Sequence, residues 1–246
     1  AICIQAGAIL AVLGLYWPRV RQMLMGLLGK DGDGLRLLIA MIVGFLPAVV
    51  IGLLANDWIE ARLFGLKPVV AAWIVGGVLI LYIARWMRHR GADQGVDLVG
   101  LTWKMALLIG LAQCVAMWPG TSRSLMTIIG GLLVGLRLSA AVEFSFLLGL
   151  ITLGAATVKK AVWPIEGIGE RYDTAFGGAM LMMDTYDLLP MLVGVVAATV
   201  SAALAVKWMV GYLNRKGLGV FGWYRLAVGV VVGALILTNF HGFGSA

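Results

Sequence analysis

The stretch LLIAMIVGFLPAVVIGLLAN, residues 37–56, decides the fold class of this chain, because its 20 residues carry no charged side chain. A helix that crosses the hydrocarbon core of a bilayer needs about 20 predominantly apolar residues. Further charge-free runs of comparable length lie at Ile2–Pro18, Pro68–Ala84, Leu188–Val206 and Leu226–Phe240. The sequence therefore predicts an all-α, polytopic helical membrane protein.

The composition of the whole chain excludes the other broad classes. Hydrophobic residues make up 61% of its 246 residues and charged residues 13%, against about 45–50% and about 25% in soluble domains. Such a chain is neither a water-soluble globule nor disordered. Two cysteines and two distant histidines, His89 and His241, provide neither a disulfide framework nor a zinc site. The net charge of +7 does not indicate nucleic-acid binding, since the basic residues lie between the apolar runs.

The loops between the runs differ in their basic residues, and this difference predicts the orientation of the chain. Four Lys or Arg residues lie in each of three loops, Arg19–Arg36, Arg85–Lys104 and Lys207–Arg225. The loop Asp57–Lys67 has equal numbers of basic and acidic residues, and the loop Lys159–Asp187 has more acidic than basic residues. Cytoplasmic loops of membrane proteins are enriched in Lys and Arg near the span ends. We therefore place the first three loops in the cytoplasm and the other two outside.

The middle of the chain is apolar but interrupted, and two interpretations of it stay open. Its pieces are Met105–Trp118, Ser124–Leu136 and Phe144–Val158, of which two are too short to span comfortably. Three short crossings satisfy the predicted orientation, and so does one re-entrant helix–loop–helix followed by one crossing. The short pieces and the charge at the break favour the re-entrant form, because irregular backbone at membrane depth must be buried or line a wet cavity.

The first interruption, WPGTSRSLMT at Trp118–Thr127, combines a helix break with polar side chains. Pro119 ends the preceding helix and Gly120 permits a tight turn. Thr121 or Ser122 can then cap the next helix. The free backbone N–H groups of that helix point back into the break, where they can bind an anion.

Arg123 adds a permanent positive charge whose planar group suits phosphate oxygens. Ser122, Ser124 and Thr127 offer hydroxyls, and the last two lie on one helix face. The alternatives are an arginine that reaches the lipid head groups and hydroxyls that bond their own backbone. Since a charge inside the membrane costs about 2.5–3.5 kcal/mol on insertion scales, the whole cluster favours a phosphate site. No nucleotide P-loop motif occurs, so the ligand we expect is a lipid with a phosphate or diphosphate head.

The run PGTSRS followed by Thr127 resembles the PGxSRSxxT signature of the bacterial undecaprenyl-diphosphate phosphatases, also called bacitracin-resistance proteins. Three further segments resemble this family in the family's order: Ile4–Trp17, Glu143–Gly149 and Phe221–Gly229. The resemblance therefore covers most of the chain.

The resemblance implies two inverted-topology halves, each with a re-entrant helix–loop–helix. It also implies hydrolysis of the C55 isoprenyl diphosphate to the monophosphate and phosphate, with a divalent cation, Mg²⁺ or Ca²⁺. This reaction recycles the lipid carrier for peptidoglycan and confers bacitracin resistance. The implied catalytic residues are Arg123 and Ser122, and the implied phosphate-binding residues are Gly120, Thr121, Ser124 and Thr127.

The family has a second motif near its N-terminus, which supplies paired glutamates, two serines and a histidine. That motif belongs upstream of the segment IQAGAIL, which here is residues 4–10 and has only three residues before it. We therefore expect residues 1–246 to form a single integral membrane domain that lacks the first motif and contains no metal ligands. By itself this chain is expected to be inactive.

The expected partners are undecaprenyl diphosphate and the lipid bilayer, in the inner membrane of a bacterium. The GxxxG pairs at Gly131/Gly135 and Gly229/Gly233 serve packing within or between chains, which leaves a homodimer open. An alternative function is a transporter or flippase of a lipid diphosphate, because transporters also point broken half-helices at anionic substrates. The same Arg123 site would then bind the head group without cleaving it.

Overall fold

The computed structural model of the chain describes residues 2–90, 94–162 and 176–238, and within these ranges it contains helices and no β-strand. This confirms the all-α prediction. The α-helices are α1 (Ile2–Leu15), α2 (Trp17–Leu27), α3 (Gly32–Leu63), α4 (Leu66–Arg90), α5 (Trp103–Val115), α6 (Arg123–Leu133), α7 (Leu138–Val162), α8 (Gly177–Thr185), α9 (Leu188–Lys216) and α10 (Gly219–Leu237). A short 3₁₀ helix, Leu98–Gly100, precedes α5.

Five of these helices, α3, α4, α7, α9 and α10, are long and apolar enough to cross a membrane. The chain is therefore polytopic, as predicted. The helices extend beyond the charge-free runs, however, because backbone hydrogen bonds continue after the apolar stretch ends. Most of the predicted loop Lys207–Arg225 is helical, and only Gly217 and Leu218 separate α9 from α10. The predicted loop Lys159–Asp187 lies in part outside the described residues, and its described part includes α8.

The predicted end of the first span, Ile2–Pro18, is wrong, because the helix does not continue to Pro18. Helix α1 stops at Leu15, and α2 leaves it at an angle of 81°. Pro18 explains the break, since proline has no N–H group to donate and its ring clashes with the carbonyl four residues earlier. Proline is tolerated in the first turn of a new helix, which is where α2 places Pro18.

The chain divides into two compact units, each made of two sequence segments, and the boundaries between them lie within α3, α7 and α9. The first unit comprises Ala1–Leu35 and Phe146–Met209, and in it the ring of Tyr16 stacks on that of Phe146 at a centroid distance of 5.9 Å. The second unit comprises Arg36–Ser145 and Val210–Ala246 and contains the interrupted segment. A single integral membrane domain over the whole chain stays a prediction.

In the second unit, small residues let the helices approach closely. A Cβ atom built on Gly77 of α4 would lie 3.1 Å from the carbonyl oxygen of Gly222 in α10, and the converse distance is also 3.1 Å. A Cβ atom on Gly110 of α5 would lie 2.3 Å from the carbonyl oxygen of Gly44 in α3. Close approach of this kind is how membrane helices gain packing energy without a hydrophobic driving force.

Helices α5 and α6 pack against each other as a short hairpin, at a place where a Cβ atom on Gly130 would lie 2.9 Å from that of Ala112. Their 13 and 11 residues span about 20 and 16 Å, less than the roughly 30 Å of a bilayer core. Every residue from Leu125 to Leu132 is buried. The structure thus supports the re-entrant interpretation over two further crossings.

The two ends of this hairpin are joined directly. Val96 N donates to the carbonyl of Gly135 at 2.9 Å, and Arg137 N donates to the carbonyl of Val96 at 3.1 Å. The Arg137 guanidinium also forms a salt bridge of 2.9 Å with Asp97. The chain therefore enters α5 and leaves α6 at the same end of the unit, with the α5–α6 loop at the other end of the hairpin.

Candidate active site

The loop between α5 and α6 is built on a type II turn. Thr121 N donates to the carbonyl of Trp118 at 3.0 Å, and Gly120 has a φ of +92°. A type II turn has a positive φ at its third residue, where glycine fits without strain, and favours proline at its second. Pro119 and Gly120 occupy these two positions, so the turn follows from the sequence.

The turn is fixed against the first turns of α4. The indole Nε1 of Trp118 donates to the carbonyl of Pro68 at 3.1 Å. A Cβ atom on Gly120 would lie 2.9 Å from the carbonyl oxygen of Val69, which is inside ordinary contact distance. Gly120 is therefore required twice, for its backbone conformation and for its lack of a side chain.

Helix α6 begins directly after this turn, with Ser122 as its N-cap. Ser122 has an extended backbone, with φ −83° and ψ 122°, and its Oγ accepts from Leu125 N at 3.3 Å. The backbone N–H groups of Arg123 and Ser124 have no hydrogen-bond partner among the residues that the structure describes. Unpaired N–H groups and the helix dipole make such an N-terminus favourable for anions.

Arg123 is the first residue of α6 and is half-buried. Within the described parts of the chain, no carboxylate forms a salt bridge with it. A guanidinium that is partly withdrawn from water, on a residue at a helix N-terminus, favours an anion with several oxygens. The structure thus places Gly120 in the turn and Ser122, Arg123 and Ser124 at the start of α6; their roles in phosphate binding and catalysis stay predictions.

Two of the predicted hydroxyls are already engaged within the protein. Thr121 Oγ1 lies within hydrogen-bond distance of the carbonyls of Trp118 and Val115, so it braces the loop. Thr127 Oγ1 contacts the carbonyls of Arg123 at 3.1 Å and Ser124 at 3.0 Å, and it is only 1% exposed. Both hydroxyls therefore stabilise the backbone of the site through hydrogen bonds to carbonyl groups. Direct contact of either hydroxyl with phosphate stays a prediction.

Ser145 of α7 also belongs to this arrangement and was not predicted from the sequence. Its Oγ lies 2.6 Å from Thr127 Oγ1 and 3.2 Å from the carbonyl of Ser124, and its side chain is 3% exposed. The one available signal was a hydroxyl inside the apolar piece Phe144–Val158, 18 residues from Thr127. The contact fixes the first turn of α6 to α7, and with it the backbone that carries Arg123.

We predict that Ser145→Ala and Thr127→Val each lower the free energy of unfolding by about 1–2 kcal/mol, because each leaves the other buried hydroxyl with fewer partners. Thermal unfolding of both single variants and the double variant, in detergent, measures this. The double variant should lose about 1 kcal/mol less than the sum of the singles, since the shared hydrogen bond is lost only once. Strict additivity would show that the two hydroxyls do not interact.

The described residues do not form a metal centre by themselves. In the ranges 2–90, 94–162 and 176–238, no three His, Cys, Asp or Glu side chains are grouped so that they could hold a metal ion. The chemistry that can be assigned to this part of the chain is therefore that of a guanidinium, hydroxyls and backbone N–H groups.

The fold and the candidate site together define a polytopic helical membrane protein with a half-buried arginine and unpaired backbone N–H groups at a helix break. The profile of the family described as bacitracin resistance protein BacA matches residues 1–231, and the chain belongs to this family. This confirms the predicted resemblance.

Curated relatives are similar over 94% of this chain. The undecaprenyl-diphosphatase of Sorangium cellulosum is 43% identical and is covered over 71% of its length. Undecaprenyl-diphosphatase 2 of Rhodospirillum rubrum is 44% identical, with 77% covered. The undecaprenyl-diphosphatase of Acinetobacter baumannii is 40% identical, with 78% covered.

Proposed function

We propose that this protein hydrolyses undecaprenyl diphosphate to undecaprenyl monophosphate and phosphate, and that Trp118–Thr127 binds the diphosphate head. The observation that carries the proposal is the position of Arg123, half-buried at the N-terminus of a short helix inside an apolar hairpin. A charged side chain inside the membrane raises the free energy of insertion, and such residues are therefore typically retained for a function. The family and the names of its relatives agree with this reaction.

In the proposed mechanism, Arg123 neutralises the negative charge that accumulates on the phosphoryl oxygens. A planar guanidinium can donate two parallel hydrogen bonds to one phosphate group. Because it is held by the helix rather than by a mobile loop, little reorganisation is needed when charge develops. The N–H groups of Arg123 and Ser124 add two fixed donors on the same side.

Ser122 and Ser124 supply the hydroxyls of the two residues that flank Arg123. The Ser122 oxygen accepts from Leu125 N, which leaves its proton free to be donated to a phosphoryl oxygen. The side chain of Ser124 is half-buried in the first turn of α6, next to Arg123. We assign Ser122 to catalysis together with Arg123, and Ser124 to phosphate binding together with the backbone of Gly120.

The divalent cation implied by the resemblance is also part of the proposal. Since the described residues contain no group that could hold it, none of the steps above is assigned to a metal. Phosphate release from C55 diphosphate in detergent, measured with the purified full-length protein, tests activity and cation together. We expect release in Mg²⁺ and its loss in excess chelator, restored by added Mg²⁺. No release from a well-folded protein in Mg²⁺ would contradict the proposed reaction.

The relatives' names describe cleavage of a diphosphate, and nothing in the structure favours the alternative of a transporter or flippase. Binding without cleavage is still separable by experiment. A transporter would retain labelled C55 diphosphate unchanged after incubation, whereas a phosphatase converts it to the monophosphate.

We further propose that the site opens toward the outer face of the bacterial inner membrane. The turn contacts Pro68 and Val69, at the beginning of α4. Helix α4 follows the loop Asp57–Lys67, which the charge count places outside. α-Helical rather than barrel-forming spans are typical of inner membranes.

A homodimer would need surfaces other than the GxxxG glycines. A Cβ atom on Gly131 would lie 2.8 Å from that of Ala141, and one on Gly229 would lie 2.8 Å from Cγ1 of Ile74. One glycine of each pair, Gly131 and Gly229, thus packs within the chain. Light scattering of the detergent-solubilised protein measures the oligomeric state.

A further inference from the structure

A second polar feature of the chain is a groove of about 340 Å³ where α4 and α9 end and α10 begins. All residues that line it belong to the second unit. Three are cations, Arg85, Arg88 and Lys216, and two are aromatic residues with a polar atom, Tyr212 and Trp223. Apolar side chains such as Leu81 line the rest. The groove therefore combines positive charge with an apolar wall.

The positive charge of the groove is not neutralised by the part of the chain that the structure describes. Arg85, Arg88 and Lys216 are exposed, and none of them forms a salt bridge with a described residue. No acidic residue occurs at all between Lys207 and Arg225. Three cations around one cavity, with no carboxylate partner among the described residues, raise the local concentration of anions.

The groove lies at the ends of predicted membrane spans. Helices α4 and α10 are both long and apolar enough to cross the membrane, and Arg85 and Arg88 are in the last two turns of α4. The loops that begin there, Arg85–Lys104 and Lys207–Arg225, are two of the three that the charge count places in the cytoplasm. Trp223, 67% exposed, provides the amphipathic ring that is typical of a membrane interface.

The groove is separate from the candidate active site. That site contacts α4 at Pro68 and Val69, whereas the groove uses the same helix from Leu81 to Arg88. At 1.5 Å per residue, Val69 and Arg85 are about 24 Å apart along the helix axis. One diphosphate head cannot occupy both places.

We propose that this groove binds the phosphodiester head of an anionic membrane phospholipid of the phosphatidylglycerol or cardiolipin type. Arg85, Arg88 and Lys216 hold the phosphate, while the acyl chains lie along the apolar wall beside Leu81 and Trp223. Basic pockets between membrane helices on the cytoplasmic side suit such head groups. Inorganic phosphate has the negative charge of a phospholipid head but no acyl chains. It would therefore make no contact with the apolar wall or with the exposed Trp223.

Native mass spectrometry of the detergent-solubilised protein, titrated with phosphatidylglycerol, tests the assignment. The test variant is Arg85→Gln/Lys216→Gln. The control is Lys207→Gln/Arg215→Gln, which removes the same charge from exposed positions of α9 outside the groove. Each basic residue contributes about 1 kcal/mol to the binding of an anionic lipid. Removal of two such residues corresponds to a roughly 30-fold weaker affinity. We expect this loss in the test variant and less than a threefold change in the control.

Two further titrations identify the source of the phosphate. Phosphatidylcholine has the same phosphodiester and chains without net charge, and it should bind the unmodified protein at least tenfold more weakly than phosphatidylglycerol. Inorganic phosphate should not displace bound phosphatidylglycerol. Equal losses in the test and control variants, equal binding of the two lipids, or displacement by inorganic phosphate would each overturn the proposal. Circular dichroism of both variants confirms that they fold, as expected for substitutions at exposed positions.

Discussion

Replacement of Arg123 by alanine in the full-length protein is expected to lower phosphate release from C55 diphosphate by about 10³-fold or more. Arginines that stabilise charge in phosphoryl transfer contribute about 10³–10⁵-fold to the rate. Arg123 lies at the first position of α6, beside two free backbone N–H groups. Its removal leaves the site without its positive side chain, while the α6 N-terminus remains.

Arg123→Lys separates the charge from the shape of the side chain. Lysine keeps the charge but lacks the planar pair of donors, so we expect it to recover part of the lost rate and to remain at least tenfold below the unmodified protein. Arg62→Ala is the matched control, because Arg62 is an exposed arginine in the last turn of α3. It should change the rate less than twofold.

The measurement is single-turnover phosphate release, together with thermal unfolding of each variant. Thermal stability distinguishes a lost catalytic group from a misfolded protein. Full activity of a well-folded Arg123→Ala variant would show that Trp118–Thr127 is not part of the active site. An equal loss in Arg62→Ala would mean that the assay reports overall charge rather than this site.

The elements that depend on local chemistry were predicted from the sequence. The run at residues 37–56 lies within α3, and Pro119 and Gly120 form the expected turn. Of the two proposed caps, Thr121 and Ser122, the structure shows Ser122 to be the N-cap of α6. Proline, glycine and capping hydroxyls act within four residues, so their effect can be predicted without knowing what packs around them.

Features that depend on distant contacts could not be predicted in this way. The hydrogen bond between Thr127 and Ser145 joins residues on two helices, and the hairpin is closed by Val96 pairing with Gly135 and Arg137. No local pattern specifies these partners. Helix ends were also misjudged, as in α9, because loss of hydrophobicity marks the edge of the bilayer and not the end of hydrogen bonding.

The same distinction between local and distant effects makes Gly120 the most sensitive position of the loop backbone. A residue other than glycine pays about 1–2 kcal/mol for a left-handed conformation. At Gly120 it would also place a Cβ atom 2.9 Å from the Val69 carbonyl oxygen and 3.3 Å from the Cβ of Ala72. Forcing atoms into an occupied space costs roughly 1–3 kcal/mol more.

Gly120→Ala is therefore expected to lower the free energy of unfolding by about 2–5 kcal/mol and phosphate release by about 100-fold, since small displacements of catalytic groups have effects of that order. Gly29→Ala is the control for the backbone term, because Gly29 has a φ of +74° and nothing within 4 Å of its Cβ position. It should lose only the backbone term of about 1–2 kcal/mol and no activity. If both variants lose the same stability and Gly120→Ala keeps its rate, the contact with α4 does not position the loop. If only Gly120→Ala loses its rate, α4 is the support that holds the Arg123 turn in place.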